Sequence, residues 1–518
     1  MVLHAHLPFV RHPEHEEFLE ENWLFEAITE TYVPLLQLLG AWQREGLNVR
    51  LTLTLTPTLC AMLQDRLLQE RYVRHLQGLI ELAEKEIHRT KWEPAVHELA
   101  RFYLERFNRT RDFYFACQGG LIGAFGAFQE QGRIEIITSS ATHALLPLLA
   151  AHPPSLRAQI LAARDHYRSC FGRDPRGIWL PECAYVQEVE PALVEANLRW
   201  FVIDSHGLLR ARPRPCYALF APILTPLGIA VFGRELNSAR QVWSRQEGYP
   251  GDPRYRDFYR DAGFDLDFDY VKPHLHAGDQ RGFTGIKYHR ITGPGPHKEV
   301  YDRKAALRTA DTHAAHFLEA RHAQVRSLAQ TMDRPPLLVC PYDAELFGHW
   351  WYEGPEFLDS FARRACASPQ VLALITPEDY LGRHPANQVA APAASSWGEG
   401  GYWQVWLNEK NQWLYAHLCF AQQRMTELVR RFHQPGPLQA RALRQAAREL
   451  LLAQASDWPF ILRTGASADY ARKRPTEHLL RFTALYDQLS KGQLDQPRLA
   501  QMEWRDNLFP DIDYRYWM

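Results

Sequence analysis

Short, unbroken apolar runs that each end in a polar or charged side chain constrain this chain more than any other feature. Val2 to His6, Arg50 to Thr56, Ile134 to Ser139, Gly177 to Leu180, Trp200 to Asp204, Ile229 to Arg234 and Pro336 to Tyr342 are seven such runs, and Val371 to Thr376 offers an eighth. Most do not alternate apolar with polar residues, as strands with one wet face do. Continuous Val/Ile/Leu stretches belong to parallel strands covered on both faces. Longer segments that read as helix or excursion separate them, so the expected class is α/β, with a barrel whose functional residues sit at the C-terminal strand ends. Those ends hold His4 and His6, Thr56, Ser139 with His143, Glu182, Asp204 with His206, Arg234 with Glu235, and Asp343 with Glu345. A doubly wound open sheet would carry a glycine-rich phosphate turn near a switch point, and none is visible.

At 518 residues the chain exceeds one simple core. Residues 1–395 read as the barrel, in which 57–118 contain a helical insertion too long for a plain crossover and 235–300 form a long loop excursion. Beyond it the pattern turns helical. Leu443, Ala446, Ala447, Leu450 and Leu451 follow the spacing of one helix face, Gly465 offers a stop, and Ser467 to Lys491 reads as another helix. Residues 396–518 are therefore expected to form an all-α C-terminal domain.

Charge narrows the partners. Lys plus Arg (59) nearly cancels Asp plus Glu (60), so no global field draws the chain to nucleic acid or an anionic membrane. No run approaches the roughly 18–20 apolar residues of a membrane span. The eight Cys are scattered without a CxxC pair and no signal peptide is visible, which together point to a reducing cytoplasm. Fifteen Trp and 22 Tyr suit both cores and the apolar faces of sugars.

Two carboxylates stand out. Glu182 follows an apolar strand in Trp179-Leu180-Pro181-Glu182-Cys183, and Asp343 follows another in Cys340-Pro341-Tyr342-Asp343-Ala344-Glu345-Leu346-Phe347-Gly348-His349-Trp350-Trp351. Facing one cavity about 5–5.5 Å apart, such a pair would act as a retaining glycosidase; a gap of roughly 6.5–9.5 Å would mean inversion. Spacing alone does not choose between Asp343 and Glu345, which alternate onto one strand face. His4 and His6 also share a face. They fit hydrogen bonds to sugar hydroxyls and tuning of an adjacent acid, together with His143; they fit core histidines; and with Asp343 or Asp204 they fit a zinc site of the deacetylase kind. Asp457, inside the apolar run Ala455-Ser456-Asp457-Trp458-Pro459-Phe460, needs a partner, either structural or substrate. The cluster Trp397, Trp403, Trp406, Trp413 reads as a stacking platform or as a hydrophobic corner.

Taken in order, His4-Ala5-His6-Leu7-Pro8-Phe9, Ala141-Thr142-His143, Trp179-Leu180-Pro181-Glu182, Pro341 to Trp350 and Ala455-Ser456-Asp457-Trp458 resemble the five motifs of glycoside hydrolase family 57 over essentially the full length. Within the family the chain is similar to members that transfer an α-1,4-glucan chain to form α-1,6 branches. The resemblance implies a distorted seven-stranded (β/α) barrel with a helical insertion and an all-α C-terminal domain. It also implies a retaining mechanism with no metal or other cofactor, acting on amylose, amylopectin or glycogen. It makes Glu182 the nucleophile and Asp343 the general acid/base. His4, His6, His143 and Asp457 match residues of the donor subsites, and Trp23, Trp397 and Trp406 match aromatic positions along the glucan groove. Tyr217 falls where branching members carry a loop tyrosine that favours transfer over hydrolysis. A leaky acceptor groove around the same carboxylates would give an α-amylase or 4-α-glucanotransferase. A metal-dependent deacetylase and a silent glucan-binding protein are the readings from other classes.

Overall fold

The computed structural model describes residues 1–244, 247–293, 295 and 297–518. Six of the seven apolar runs contain a strand, β1 (Val2–Ala5), β2 (Leu51–Leu55), β3 (Ile134–Ile137), β4 (Gly177–Ile178), β5 (Trp200–Ile203) and β7 (Ala230–Gly233), and the run Pro336 to Tyr342 overlaps β8 (Pro341–Asp343) only at its end. One further strand, β6 (Ile223–Leu224), was not expected; it pairs antiparallel with β7 as a short hairpin. The stretch Val371 to Thr376 is a correction: it runs without strand pairing before the helix Pro377–Arg383. Its Leu372 and Leu374 are only partly buried, so the apolar run packs as extended coil against the core.

The strands form two four-stranded sheets, ordered β3-β2-β1-β8 and β4-β5-β7-β6, parallel except for β6. At one flank Thr138 makes a parallel bridge to Ile178, and at the other Arg234 does so to Val339. Between the sheets lies one buried cluster that includes Val2, Ile137, Trp179, Trp200, Phe232 and Val339. The close approach of two strands there explains a residue choice: a Cβ on Gly177 would lie 2.3 Å from the ring of Trp200.

Between β2 and β3 run the helices Pro57–Gln64, Arg66–Arg89 and Pro94–Ala116, the last two packed on each other. Residues 235–300 hold Leu236–Trp243 and several one-turn helices; within that stretch Arg245, Gln246, Pro294 and Pro296 lie outside the described residues. The C-terminal region is helical: Gln412–Arg431, Pro437–Ala453, Asp457–Thr464, Ala468–Lys491 and Gln496–Arg505. The helix stop after Thr464 is made by Gly465 at φ 87°, a conformation that suits a residue without Cβ. No described helix is long and apolar enough to cross a membrane.

What docks this region on the sheets is specific. Ala455 bridges Ala144, the Ser456 N–H donates to the His143 carbonyl at 3.1 Å, and the Thr142 hydroxyl donates to the Leu451 carbonyl at 2.5 Å. The break between the helices Pro437–Ala453 and Asp457–Thr464 is thereby pressed against the turn after β3. Ser456 and Asp457 come with it.

Candidate active site

Three chain ends meet at the C-terminal edge of the strands. β1 delivers His4 and His6, the turn after β3 delivers His143, and the turn after β4 delivers Glu182. His143 (φ 56°), Glu182 (φ 63°) and Cys183 (φ 49°) all take left-handed backbone, which is uncommon for residues with a Cβ and is found where a turn must aim a side chain. Reversed in this way, Glu182 meets Trp397 twice. Its carbonyl accepts the Trp397 main-chain N–H at 3.0 Å and its carboxylate Oε2 accepts the indole Nε1–H at 2.7 Å.

The histidine rings stack on one another, His6 on His143 at 3.7 Å and His4 on His143 at 5.0 Å, with Trp179 under His4 at 4.7 Å. Burial holds His4 and His143 well below the usual imidazole range, so both are neutral. Their hydrogen bonds then assign a direction. Ser456 Oγ lies 3.4 Å from Glu182 Oε1 and 2.9 Å from His143 Nδ1, and His143 Nε2 lies 3.0 Å from His4 Nε2. An anionic Glu182 must accept, so Ser456 donates to it, His143 Nδ1–H donates to Ser456, and His4 Nε2–H donates to His143 Nε2. His4 Nδ1 ends the relay as a buried acceptor with no partner among the described residues. His6 is held separately, its Nε2 3.0 Å from Asp457 and its Nδ1 3.1 Å from Thr56.

The two strand-end acids of β8 have opposite fates. Glu345 Oε1 accepts the Tyr32 hydroxyl at 2.5 Å and the His6 main-chain N–H at 3.1 Å, which fixes it. Asp343, the register partner of His4, has no such tether among the described residues. Of the two acids, Asp343 is therefore the untethered one among the described residues. Burial first, then the charges of Glu345 and Glu182, push the Asp343 carboxyl well above the usual carboxylate range, with Arg234 opposing. Burial, aided by Asp457, pushes Glu182 up to about 7 against the Trp397, His6 and Ser456 contributions. Both carboxyls are thus held above the ordinary carboxylate range within one site.

The other sequence candidates divide. Asp457 and Trp397 belong to the site as described. Trp23, on the helix Glu21–Ala27, meets Tyr470 edge-on at 5.8 Å, and Tyr470 touches Trp458 beside Asp457, which sets Trp23 toward the same rim. Trp406 is 2% exposed, with Gly398 so close that a Cβ there would lie 2.5 Å from its ring, so it offers no face to a sugar and packs beneath the turn instead. Tyr217 is not brought to the site either. Its hydroxyl donates to Asp333 at 2.5 Å and the Arg334 guanidinium covers its ring at 5.1 Å, which places it before β8, at the opposite end of the strands from Asp343. Sequence reasoning gave no role to Ser456, one residue before the singled-out Asp457, or to Tyr32, which carried no signal at all.

For metal binding, the rival set of His4, His6 and Asp343 or Asp204 is not what the structure brings together. Asp204 is taken by His206 at 2.9 Å and Arg234 at 3.3 Å. Among the described residues, the donors that do converge are His6, His143 and Asp457, within 4.8 Å of one another, and in the C-terminal region Glu449, His478 and Asp506. The second set is occupied by guanidinium, Arg481 lying 3.0 Å from Glu449 and 3.2 Å from Asp506. In the first set His6 is already paired with Asp457 and Thr56, and His143 with His4 and Ser456.

Comparison with known families agrees with this geometry. Residues 1–393 match the model described as "Glycosyl hydrolase family 57". The chain belongs to glycoside hydrolase family 57. Residues 417–517 match a second model, "1,4-alpha-glucan branching enzyme, C-terminal". Among family 57 proteins, the 1,4-alpha-glucan branching enzyme TK1436 of Thermococcus kodakarensis is 33% identical over 99% of this chain and 77% of its own length. The crystal structure of the alpha-amylase AmyC from Thermotoga maritima superposes with a TM-score of 0.93 at 43% identity, over 100% of this chain and 98% of that one. That of a branching enzyme from Pyrococcus horikoshii superposes at 0.89 and 31% identity, over 100% and 96%.

Proposed function

We propose that the protein is a 1,4-α-glucan branching enzyme: it cleaves an α-1,4 bond of a glucan with retention and transfers the released chain to a 6-hydroxyl, making an α-1,6 branch. The observation that carries this reading is that the region matching the branching-enzyme C-terminal model supplies Ser456 and Asp457 to the carboxylate site itself. Chain transfer and the C-terminal helices are built into one centre.

In this reading Glu182, ionised and oriented by Trp397 and Ser456, attacks the anomeric carbon while Asp343 gives its proton to the departing glycosidic oxygen. The glucanyl ester so formed is then opened by the 6-hydroxyl of an acceptor, whose proton returns to Asp343. Asp457 borders the donor sugar hydroxyls, His4, His6 and His143 back it as a stacked, hydrogen-bonded wall, and Trp397 and Trp23 supply aromatic faces. Retention requires the two carboxyl groups to lie about 5–5.5 Å apart when substrate is bound. Amylose, amylopectin and glycogen are the proposed partners, no cofactor is needed, and the eight free cysteines fit a reducing cytoplasm. We also read the seven parallel strands as one distorted barrel, a reading supported by the bridges Thr138–Ile178 and Arg234–Val339 and by the shared cluster between the sheets. Residues 1–395 are its proposed extent, and 396–518 the helical domain.

Amylose incubated with the purified protein tests the reading. Iodine colour should fall with few new reducing ends, and a debranching enzyme should then release short chains. Reducing ends rising in step with colour loss would make the protein an α-amylase, the second reading, which the 43% identity to AmyC favours. Activity that survives complete chelation removes the deacetylase reading.

A further inference from the structure

Glu345 is a buried acid, 7% exposed, two residues after Asp343 in the turn that follows β8, and the reaction as written does not use it. Its surroundings are unusually constructed. The β1–β8 ladder begins with Val2 N–H donating to the Cys340 carbonyl at 3.0 Å and runs in register to His4 and Asp343. Continued by two residues, it would give the His6 N–H to Ala344. Instead β8 leaves the sheet in the tight turn Ala344–Leu346, and the Glu345 carboxylate takes that bond. Its second donor, Tyr32, is fully buried at the end of Ile28–Tyr32, a π-helical turn set between two α-helical stretches. Inserted turns of this kind re-aim a side chain and gather at functional sites. The turn is clamped to the β8 segment: His349 lies 2.7 Å from Glu30, and Gly348 (φ 118°) presses so close that a Cβ would lie 1.9 Å from the Glu30 carbonyl oxygen.

Resting on the assignment of Asp343 as acid/base, we propose that Glu345 is a positioning residue that acts through Asp343: its carboxylate, held by Tyr32 and the His6 N–H, is a fixed negative charge that keeps Asp343 loaded with the proton it gives to the leaving oxygen. The charged and titratable groups around Asp343 are Glu182 and Cys183 from the turn after β4, Arg234 from the end of β7, His4 from β1, and Glu345 on its own segment. Only Arg234 works against the proton, and it is shared with Asp204 at 3.3 Å. Burial pushes Glu345 up to about 7, and the hydrogen bonds from Tyr32 and the His6 N–H oppose that rise by stabilising its charged form.

The test is the pH profile of kcat/KM for glucan conversion. In Glu345→Gln the basic limb should move toward acid by about one pH unit, since a like charge next to a carboxyl is removed. In Tyr32→Phe, which leaves Glu345 protonated to higher pH, the limb should move the same way by less. A purely structural role would lower the profile without moving the limb. If both folded variants keep the wild-type basic limb, the proposal fails; should Glu345→Gln not fold, an unmoved limb in Tyr32→Phe is enough to reject it. Asp343→Asn tested on α-maltosyl fluoride, whose leaving group needs no acid, separates this from failure of the underlying assignment. Rescue there with an unmoved Glu345→Gln limb sinks only the present inference, whereas no rescue sinks the role of Asp343 itself.

Discussion

Replacing Trp397 by Phe removes one atom's worth of chemistry from the site and leaves most of its volume. The indole Nε1–H donates to Glu182 Oε2 at 2.7 Å, while the second contact, from the Trp397 main-chain N–H to the Glu182 carbonyl, survives the change. A hydrogen bond to a charged acceptor contributes about 1.5–3 kcal/mol. At roughly 1.4 kcal/mol per pH unit, its loss raises the Glu182 proton affinity by about 1–2 units. Glu182 lies at about 7 in the intact site. The acid limb of kcat/KM, read on amylose by iodine absorbance in overlapping buffers, should therefore move to about 8–9. At pH 6 the variant should be slower than the parent by about 10- to 100-fold, and the gap should close as pH rises. A uniform loss at every pH, with the acid limb unmoved, would refute the reasoning, because the limb would then not report Glu182.

Glu182→Gln should abolish turnover and also change stability in a pH-dependent way. The folded-state affinity is raised, so the proton's stabilising effect is complete below the ordinary carboxylate value near 4.5 and lost as pH climbs through about 7. Gln does not ionise, so the variant should gain up to roughly 3 kcal/mol on the parent between pH 5 and pH 8; equal thermal melts at both pH values would contradict this. Tyr217→Phe should leave the ratio of branching to hydrolysis unchanged, because Tyr217 pairs with Asp333 and Arg334 far from Asp343; an altered ratio would restore it to the site. Gly177→Ala should destabilise by about 1–3 kcal/mol or more, since its Cβ would meet the Trp200 ring at 2.3 Å, and an unchanged melting temperature would be inconsistent with that contact.

The strands were legible because their burial is two-sided. A run such as Leu51 to Leu55 is buried at every position, so composition alone reveals it, and the polar residue that ends each run marks where solvent and substrate begin. The same rule misled at Val371 to Thr376, where an apolar stretch finds the core without a strand to pair with. Ile223–Leu224 was invisible for the opposite reason, being too short for any pattern. Within the site, motif residues were legible when their type was costly to bury: Glu182, Asp343, Asp457 and the histidines. Ser456 and Tyr32 are ordinary residues made important by partners 274 and 313 positions away, Glu182 and Glu345 respectively. Trp397 and Trp406 shared one aromatic stretch in the sequence, and only the packing of Gly398 under Trp406 tells which ring stays available. Tyr217 turns toward Asp333 and Arg334, a direction that loop position in the sequence does not give.

The dependence of the reaction centre on Ser456 and Asp457 has a consequence for how the protein comes to life. His6 and Asp457 touch at 3.0 Å yet stand 451 residues apart, so the first half of the pair leaves the ribosome long before the second exists. At roughly 5–20 residues per second, His6 waits about 20–90 s for its partner. For the last 274 residues of that synthesis Glu182 is already made but lacks the serine that orients it. The nascent chain is thus inert by construction, and competence arrives late and in one step, when the helical region closes onto the strands.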